Sequence, residues 1–343
     1  MEKNKEKKEK MENFMNQVPF VLVIVCLIAG FVLLVKGADF FVEGSSSVAK
    51  RLHVPAIIIG LTIVAMGTSL PETAVSVSAS LAGKNELAVS NVIGSNLFNL
   101  MVVIGACGLL STVHVSRDTI KRDIPFSLIC AGMLLILGVT GIGARSSMIL
   151  GHLAGMIFLG CFAGYIIYMI RITMKAGREG KKVEIEGGSD EEIKLLPMPL
   201  SVLFIVGGAA AIAVGGDITV DAAARIAGTL GMSQTLIGLT IVSIGTSLPE
   251  LVTSVVAARK NEVDMALGNA IGSNVFNILM VLGLAAAISP ISMIRTNIVD
   301  LCVLITFTVW IWILVAVRKK ITKVEGFCMI TLYVVYAGYV IMR

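Results

Sequence analysis

Long apolar runs dominate the chain, and short polar breaks cut them into lengths suited to crossing a bilayer. One set falls near 19–43, 55–81, 86–110, 124–141 and 147–172, and a second near 198–222, 233–258, 264–288, 297–317 and 324–342. None shows the strict alternation of a barrel strand, so each is expected as a membrane helix. The one long polar stretch, KAGREGKKVEIEGGSDEEIK, separates the sets and reads as a linker. The expected organisation is a polar tail over 1–18, a first half over 19–174, a linker over 175–196 and a second half over 197–343. The first run is not followed by a small-residue cleavage site and is expected to stay as a span.

The two sets repeat one pattern of polar positions at an offset of 178 residues. Residues 60–100 (GLTIVAMGTSLPETAVSVSASLAGKNELAVSNVIGSNLFNL) and 238–278 (GLTIVSIGTSLPELVTSVVAARKNEVDMALGNAIGSNVFNI) agree at 22 of 41 positions without a gap. The register holds upstream, where Gly37, Asp39 and Glu43 meet Gly215, Asp217 and Asp221. The repeat unit is therefore a five-helix half. Because five is odd, the second half must enter the membrane from the opposite face. The expected fold is an all-α polytopic membrane protein, ten transmembrane helices as two inverted five-helix repeats, with any site near the midplane between the halves.

Composition agrees: 56% of the 343 residues are hydrophobic and the mean hydropathy is +0.90, which excludes a soluble domain of this size. The net charge of +5 then orients loops and is no argument for nucleic acid. Loops on the linker side hold 17 Lys and Arg against 5 on the other side, outside the tail. This predicts a plasma-membrane protein with a cytoplasmic linker and both termini outside, although the tail's five lysines, accompanied by four glutamates, pull the other way. The six cysteines lie singly in apolar runs and read as reduced, packed thiols. His53, His114 and His152 are isolated near span ends.

The repeated segment carries the chemistry. Pro71 and Pro249 break their helices, freeing carbonyls of the preceding turn at mid-membrane. Thr68, Glu72 and Ser76 share one helix face by their spacing of four, as do Thr246, Glu250 and Ser254. Asn91, Ser95 and Asn99, and Asn269, Ser273 and Asn277, form matching stripes on the next helices. All donors are oxygens, which suits hard cations such as Ca²⁺ and Na⁺. Ser76, Ser254, Asn91 and Asn269 read equally well as interhelical hydrogen bonds. Glu72 and Glu250 do not, since a central charge costs roughly 2.5–3.5 kcal/mol and no lysine or arginine lies within these spans to pair with them. Asp39, Glu43, Asp217 and Asp221 read better as interfacial, with Lys36 placed to pair with Asp39.

GTSLPE followed by GSNxFN, once in each half, resembles the α-repeats of the cation/calcium exchanger superfamily, most nearly its prokaryotic sodium/calcium exchangers. The resemblance implies cation sites between spans two, three, seven and eight, with Glu72 and Glu250 ligating Ca²⁺ and, in alternation, Na⁺. It implies carbonyls or hydroxyls from Thr68 and Thr246 and hydroxyls from Ser69, Ser247, Ser95 and Ser273. It further implies carbonyls of Ala65 and Ser243 at the outer sodium sites, and sliding of spans one and six. At Asn277 some relatives carry aspartate, whereas Asn99 is commonly asparagine; here the centre holds two carboxylates. The expected activity is calcium extrusion against inward sodium by a monomer in the lipid bilayer, without cofactor, nucleotide or nucleic acid. The rival readings are a calcium/proton antiporter on the same glutamates, an ion channel, and an intramembrane enzyme with Ser69 or Ser247 as nucleophile, the last opposed by the lack of a histidine or lysine base. The linker is too short for a regulatory calcium domain.

Overall fold

A computed structural model describes residues 19–52, 54–81, 85–142, 148–179, 195–231 and 243–342. The 1–18 tail and most of the 175–196 linker lie outside them. The described chain is almost entirely helical. Its helices are α1 (Phe20–Arg51), α2 (Ala56–Thr68), α3 (Leu70–Leu81), α4 (85–110), α5 (Thr119–Thr140), α6 (His152–Glu179), α7 (Met198–Thr229), α8 (Ser243–Thr246), α9 (Leu248–Arg259), α10 (Val263–Ile288), α11 (Arg295–Arg318) and α12 (Lys323–Met342). Among the described residues eight helices are long and apolar enough to cross a membrane, and nine when α2 and α3, bent by 46°, count as one broken span. The span expected near 233–258 is described only from Ser243 onward, as α8 and α9.

Helix ends follow local chemistry and recur at the repeat offset. Pro19 and Pro197, each with φ near −55° and ψ near 144°, deliver the chain into α1 and α7. Gly141 and Lys319, again 178 positions apart, close α5 and α11 in the left-handed conformation (φ 62° and 56°). Several boundaries differ from those expected. Both α1 and α7 are 32 residues long, reaching Arg51 and Thr229 where the apolar pattern stops near 43 and 222. Their polar ends, GSSSVAKR and DAAARIAGT, stay helical because small residues there pack against a neighbour; Ser45, Ser46 and Ser47 are all buried. At about 48 Å each, α1 and α7 exceed the ~30 Å hydrocarbon core and must tilt or protrude. Asp39, Glu43, Asp217 and Asp221 consequently lie inside long helices, not at their ends. α5 begins at Thr119 and not 124, and α6 runs from His152 to Glu179, into the expected linker.

α1 and α7 cross antiparallel. Gly30 abuts Ile218 and Thr219, Gly37 abuts Gly208 and Ala211, and Gly44 abuts Ser201, so numbers rise on one helix as they fall on the other. α2 instead runs alongside α10 in the same sense, Gly60 against Gly268 and Leu61 against Gly272. Two short antiparallel pairs tie loops of the first half to loops of the second: β1 (Val113–His114) to β4 (Lys320–Ile321), and β2 (Ile149–Leu150) to β3 (Ile291–Ser292). The core centres on α2, α4 and α10, the last buried almost all round. Cys107 and Cys130 are packed as expected, but Cys302 and Cys328 are exposed on the outer helix faces.

Candidate functional site

The helix breaks fall at Ser69 and Ser247, two residues before the prolines. Both serines sit in the sparsely populated bridge conformation (φ −84°, ψ 12° and φ −93°, ψ 2°), so α3 and α9 restart with a carboxylate in their first turn. The break also aims each serine across the repeat boundary. Ser69 Oγ donates to Glu250 Oε1 (2.8 Å), and Ser247 Oγ donates to Glu72 Oε1 (3.2 Å). From within the same half, Ser95 Oγ lies 3.3 Å from Glu72 Oε1 and Ser273 Oγ 3.4 Å from Glu250 Oε1. Each glutamate is thus held at one oxygen by a serine from each half. The other oxygen of each, Oε2, is buried without a partner.

Around this pair the hydrogen bonds again come in twos, 178 residues apart. Thr68 Oγ1 donates to Asn269 Oδ1 (3.1 Å) and Thr246 Oγ1 to Asn91 Oδ1 (3.4 Å). Asn91 Nδ2 donates to Ser76 Oγ (3.1 Å) and Asn269 Nδ2 to Ser254 Oγ (2.9 Å). Asn269 Nδ2 also lies 3.3 Å from the Glu250 carbonyl. The four residues that read equally as glue therefore join helices directly. Asn96 and Asn274, which no sequence argument singled out, bond each other's carbonyls reciprocally (3.1 and 3.2 Å) where α4 crosses α10. Their one signal was the repeated GSN.

Asn99 and Asn277 break the symmetry. Both are fully buried, and both open π-helical turns, Asn99–Val103 and Asn277–Leu282. Such turns carry one extra residue and recur at functional sites. Asn277 Nδ2 donates to Ser95 Oγ (3.2 Å) and Asn96 Oδ1 (3.1 Å), leaving its Oδ1 without a partner. Asn99 has no partner at either amide atom. The Ala65 carbonyl accepts the Ser69 N–H (3.1 Å) and lies 3.4 Å from Thr68 Oγ1, so it is engaged within its helix. Ser243 opens α8; its side chain lies outside the described residues.

The site is therefore a buried cluster of two carboxylates and several neutral oxygens contributed by α2, α3, α4, α8, α9 and α10. Among the described residues, ion pairs away from the glutamates join Lys36 and Lys260 to Asp39 (3.6 and 3.5 Å), Arg122 to Asp123 (2.6 Å) and Arg318 to Glu325 (2.5 Å). Buried carboxylate and amide oxygens without a partner, here Glu72 Oε2, Glu250 Oε2 and Asn277 Oδ1, are donors suited to a hard cation. A separate cavity of about 500 Å³ lies to the side between α5 and α6, lined by Phe126, Cys130, Tyr165 and Met169, and does not contain the glutamates.

Comparison with known proteins covers most of the chain. The profile of the family described as sodium/calcium exchanger protein matches residues 22–171 and 200–342. The sodium/calcium exchanger MaX1 of Methanosarcina acetivorans is 32% identical over 344 residues, covering 90% of this chain and 96% of its own. The inner membrane protein YrbG of Escherichia coli is 35% identical over 277 residues, covering 79% and 81%. A solved structure of the sodium-calcium exchanger NCX_Mj, soaked with zero Na⁺ and Ca²⁺, superposes with a TM-score of 0.78 at 29% identity, covering 94% of this chain and all of that one.

Proposed function

Because the chain belongs to the sodium/calcium exchanger protein family, and so is a membrane cation antiporter and not an enzyme, we propose that it exchanges Ca²⁺ for Na⁺ by alternating access at Glu72 and Glu250. The observation that carries this is the mirrored pair of buried glutamates, each clasped at one oxygen by two serines and open at the other. Two buried carboxylates with no lysine or arginine in their spans resist closure while empty and ionised, and accept closure once a cation neutralises them. If Ca²⁺ and Na⁺ use the same oxygens, they bind in alternation and exchange becomes obligatory.

Thr68, Thr246, Ser69, Ser247, Ser95, Ser273, Asn99 and Asn277 complete the ligand set in this reading, with the carbonyls of Ala65 and Ser243 becoming ligands when their helices shift. The ten-span inverted layout is supported by the antiparallel α1–α7 crossing and by hydrogen bonds that recur at the repeat offset. The long pair α1–α7 is the element that slides across the rest. The protein acts as a monomer in the plasma membrane, with a cytoplasmic linker and both termini outside. The proposed transport needs no cofactor.

The test is ⁴⁵Ca²⁺ uptake into Na⁺-loaded proteoliposomes. Uptake that requires the outward sodium gradient and disappears in both Glu72→Gln and Glu250→Gln is the expected result. Uptake driven by a pH gradient alone would make the protein a calcium/proton antiporter instead.

A further inference from the structure

The side cavity of about 500 Å³ between α5 and α6 carries a different chemistry from the glutamate site. Its wall is mostly apolar, yet two of the chain's six cysteines, Cys130 on α5 and Cys161 on α6, line it together with Met133. The two helices run antiparallel, numbers rising on α5 as they fall on α6. Arg122 lies near Tyr168, and the Phe126 ring stacks on that of Tyr165, centroids 5.1 Å apart and planes inclined by 8°. Cys130 lies near enough to Cys161 for a charge on one to act on the other. The stacked rings fix the register. One turn further, four residues on along α5 and four back along α6, Cys130 and Cys161 stand opposite each other. Met133 follows Cys130 by three residues and so covers the same helix face. Cys107 is a different case, because its thiol donates to the Ser254 carbonyl (3.6 Å).

Two thiols and a thioether around one apolar space are soft ligands, ill suited to the hard cations that carboxylates take. Zinc is poorly served as well. It takes four ligands in a tetrahedron, and Asp123, whose carboxylate lines this cavity, is already held by Arg122 (2.6 Å). A soft divalent ion on two thiolates is neutral and brings no net charge into the apolar wall. We propose that Cys130 and Cys161, assisted by Met133, form a soft-metal site bridging α5 and α6, with Hg²⁺ as the ion whose charge and ligand preference fit it. On binding, two S–H bonds break, two Hg–S bonds form and two protons leave to water, with no change of oxidation state. The site stands apart from Glu72 and Glu250, so it does not depend on which ions those residues carry.

The experiment uses the full chain in detergent with the exposed Cys302 and Cys328 replaced by alanine, Hg²⁺ as the probe, and alkylation of each thiol read by mass spectrometry. One equivalent of Hg²⁺ is expected to protect Cys130 and Cys161 together, and excess Ca²⁺ is expected to leave that protection unchanged. Because the second Hg–S bond forms within one molecule, C130A and C161A should each weaken retention against a competing free thiol by about 100-fold or more. Methylmercury, which has a single bond to offer, serves as a control that needs no substitution in the cavity: it should require two equivalents to protect both thiols. Protection of only one of the two by Hg²⁺, or single-cysteine variants that retain it as well as the parent, would show independent thiols and overturn the site. Displacement by Ca²⁺ would overturn it too, by placing the metal at the carboxylates. Should C130A or C161A not fold, the contrast between Hg²⁺ and methylmercury still decides.

Discussion

At the scale of single residues, each glutamate depends on a serine from the opposite half. Ser69 and Ser247 are fully buried, and each reaches the carboxylate that its own helix break does not carry. Hydrogen bonds to charged groups contribute about 1.5–3 kcal/mol. Ser69→Ala and Ser247→Ala should therefore each weaken Ca²⁺ binding by about tenfold or more, read by calorimetric titration. Because the two contacts are equivalent, the losses should agree within about threefold; a loss confined to one serine would mean that the halves are not used alike. Asn91, Asn269, Ser76 and Ser254 show where sequence reasoning stops. Their spacing places them on the right faces, but only coordinates reveal that they bond one another and that Thr68 and Thr246 join them.

At the scale of elements, α2 and α10 approach until backbone meets backbone. A Cβ on Gly268 would lie 2.4 Å from the Ile57 carbonyl oxygen and 3.0 Å from Gly60 Cα, a clash that the packed helices cannot relieve by rotating a side chain. Gly268→Ala should therefore cost about 1–3 kcal/mol and lower the melting temperature in detergent by several degrees. Gly164 on α6 faces open space, with nothing within 4 Å of an added Cβ, and Gly164→Ala should melt like the parent or slightly above it. Equal melting of the two variants would contradict the close approach. The π-helical turns at Asn99–Val103 and Asn277–Leu282 belong to this scale as well. An extra residue rotates the helix face by about 100°, but these spans are apolar and buried nearly all round, so no amphipathic pattern registers the shift.

At the scale of the whole molecule, the question is what moves against what. α1 and α7 pack along each other, while β1–β4 and β2–β3 bind loops of the remaining helices together. Lys260, beyond the end of α9, crosses to α1, where it donates to the Asp39 carbonyl (2.9 Å) and pairs with its carboxylate (3.5 Å). This contact joins the α1–α7 pair to the rest in the observed arrangement. Lys260→Ala should raise deuterium uptake in the Asp39–Arg51 part of α1 by a few fold while leaving α10 unchanged, measured by hydrogen exchange and mass spectrometry. Unchanged uptake in α1 would show that the contact does not restrain it.

The sequence by itself determined the class, the duplication and the two carboxylates. Apolar length, a 178-residue offset and an unpaired charge in a membrane segment are all written along one dimension. It also located the helix breaks to within two residues, because proline acts on its own chain. Tertiary structure decided the rest. Polar, small-residue segments such as GSSS remain helical only because α1 gains a neighbour against which to bury them. Asn96 finds Asn274, and Ser69 finds Glu250, only because two distant helices cross there. Contacts between segments far apart in the chain depend on how helices cross, and helix crossing is set by packing that no local pattern encodes.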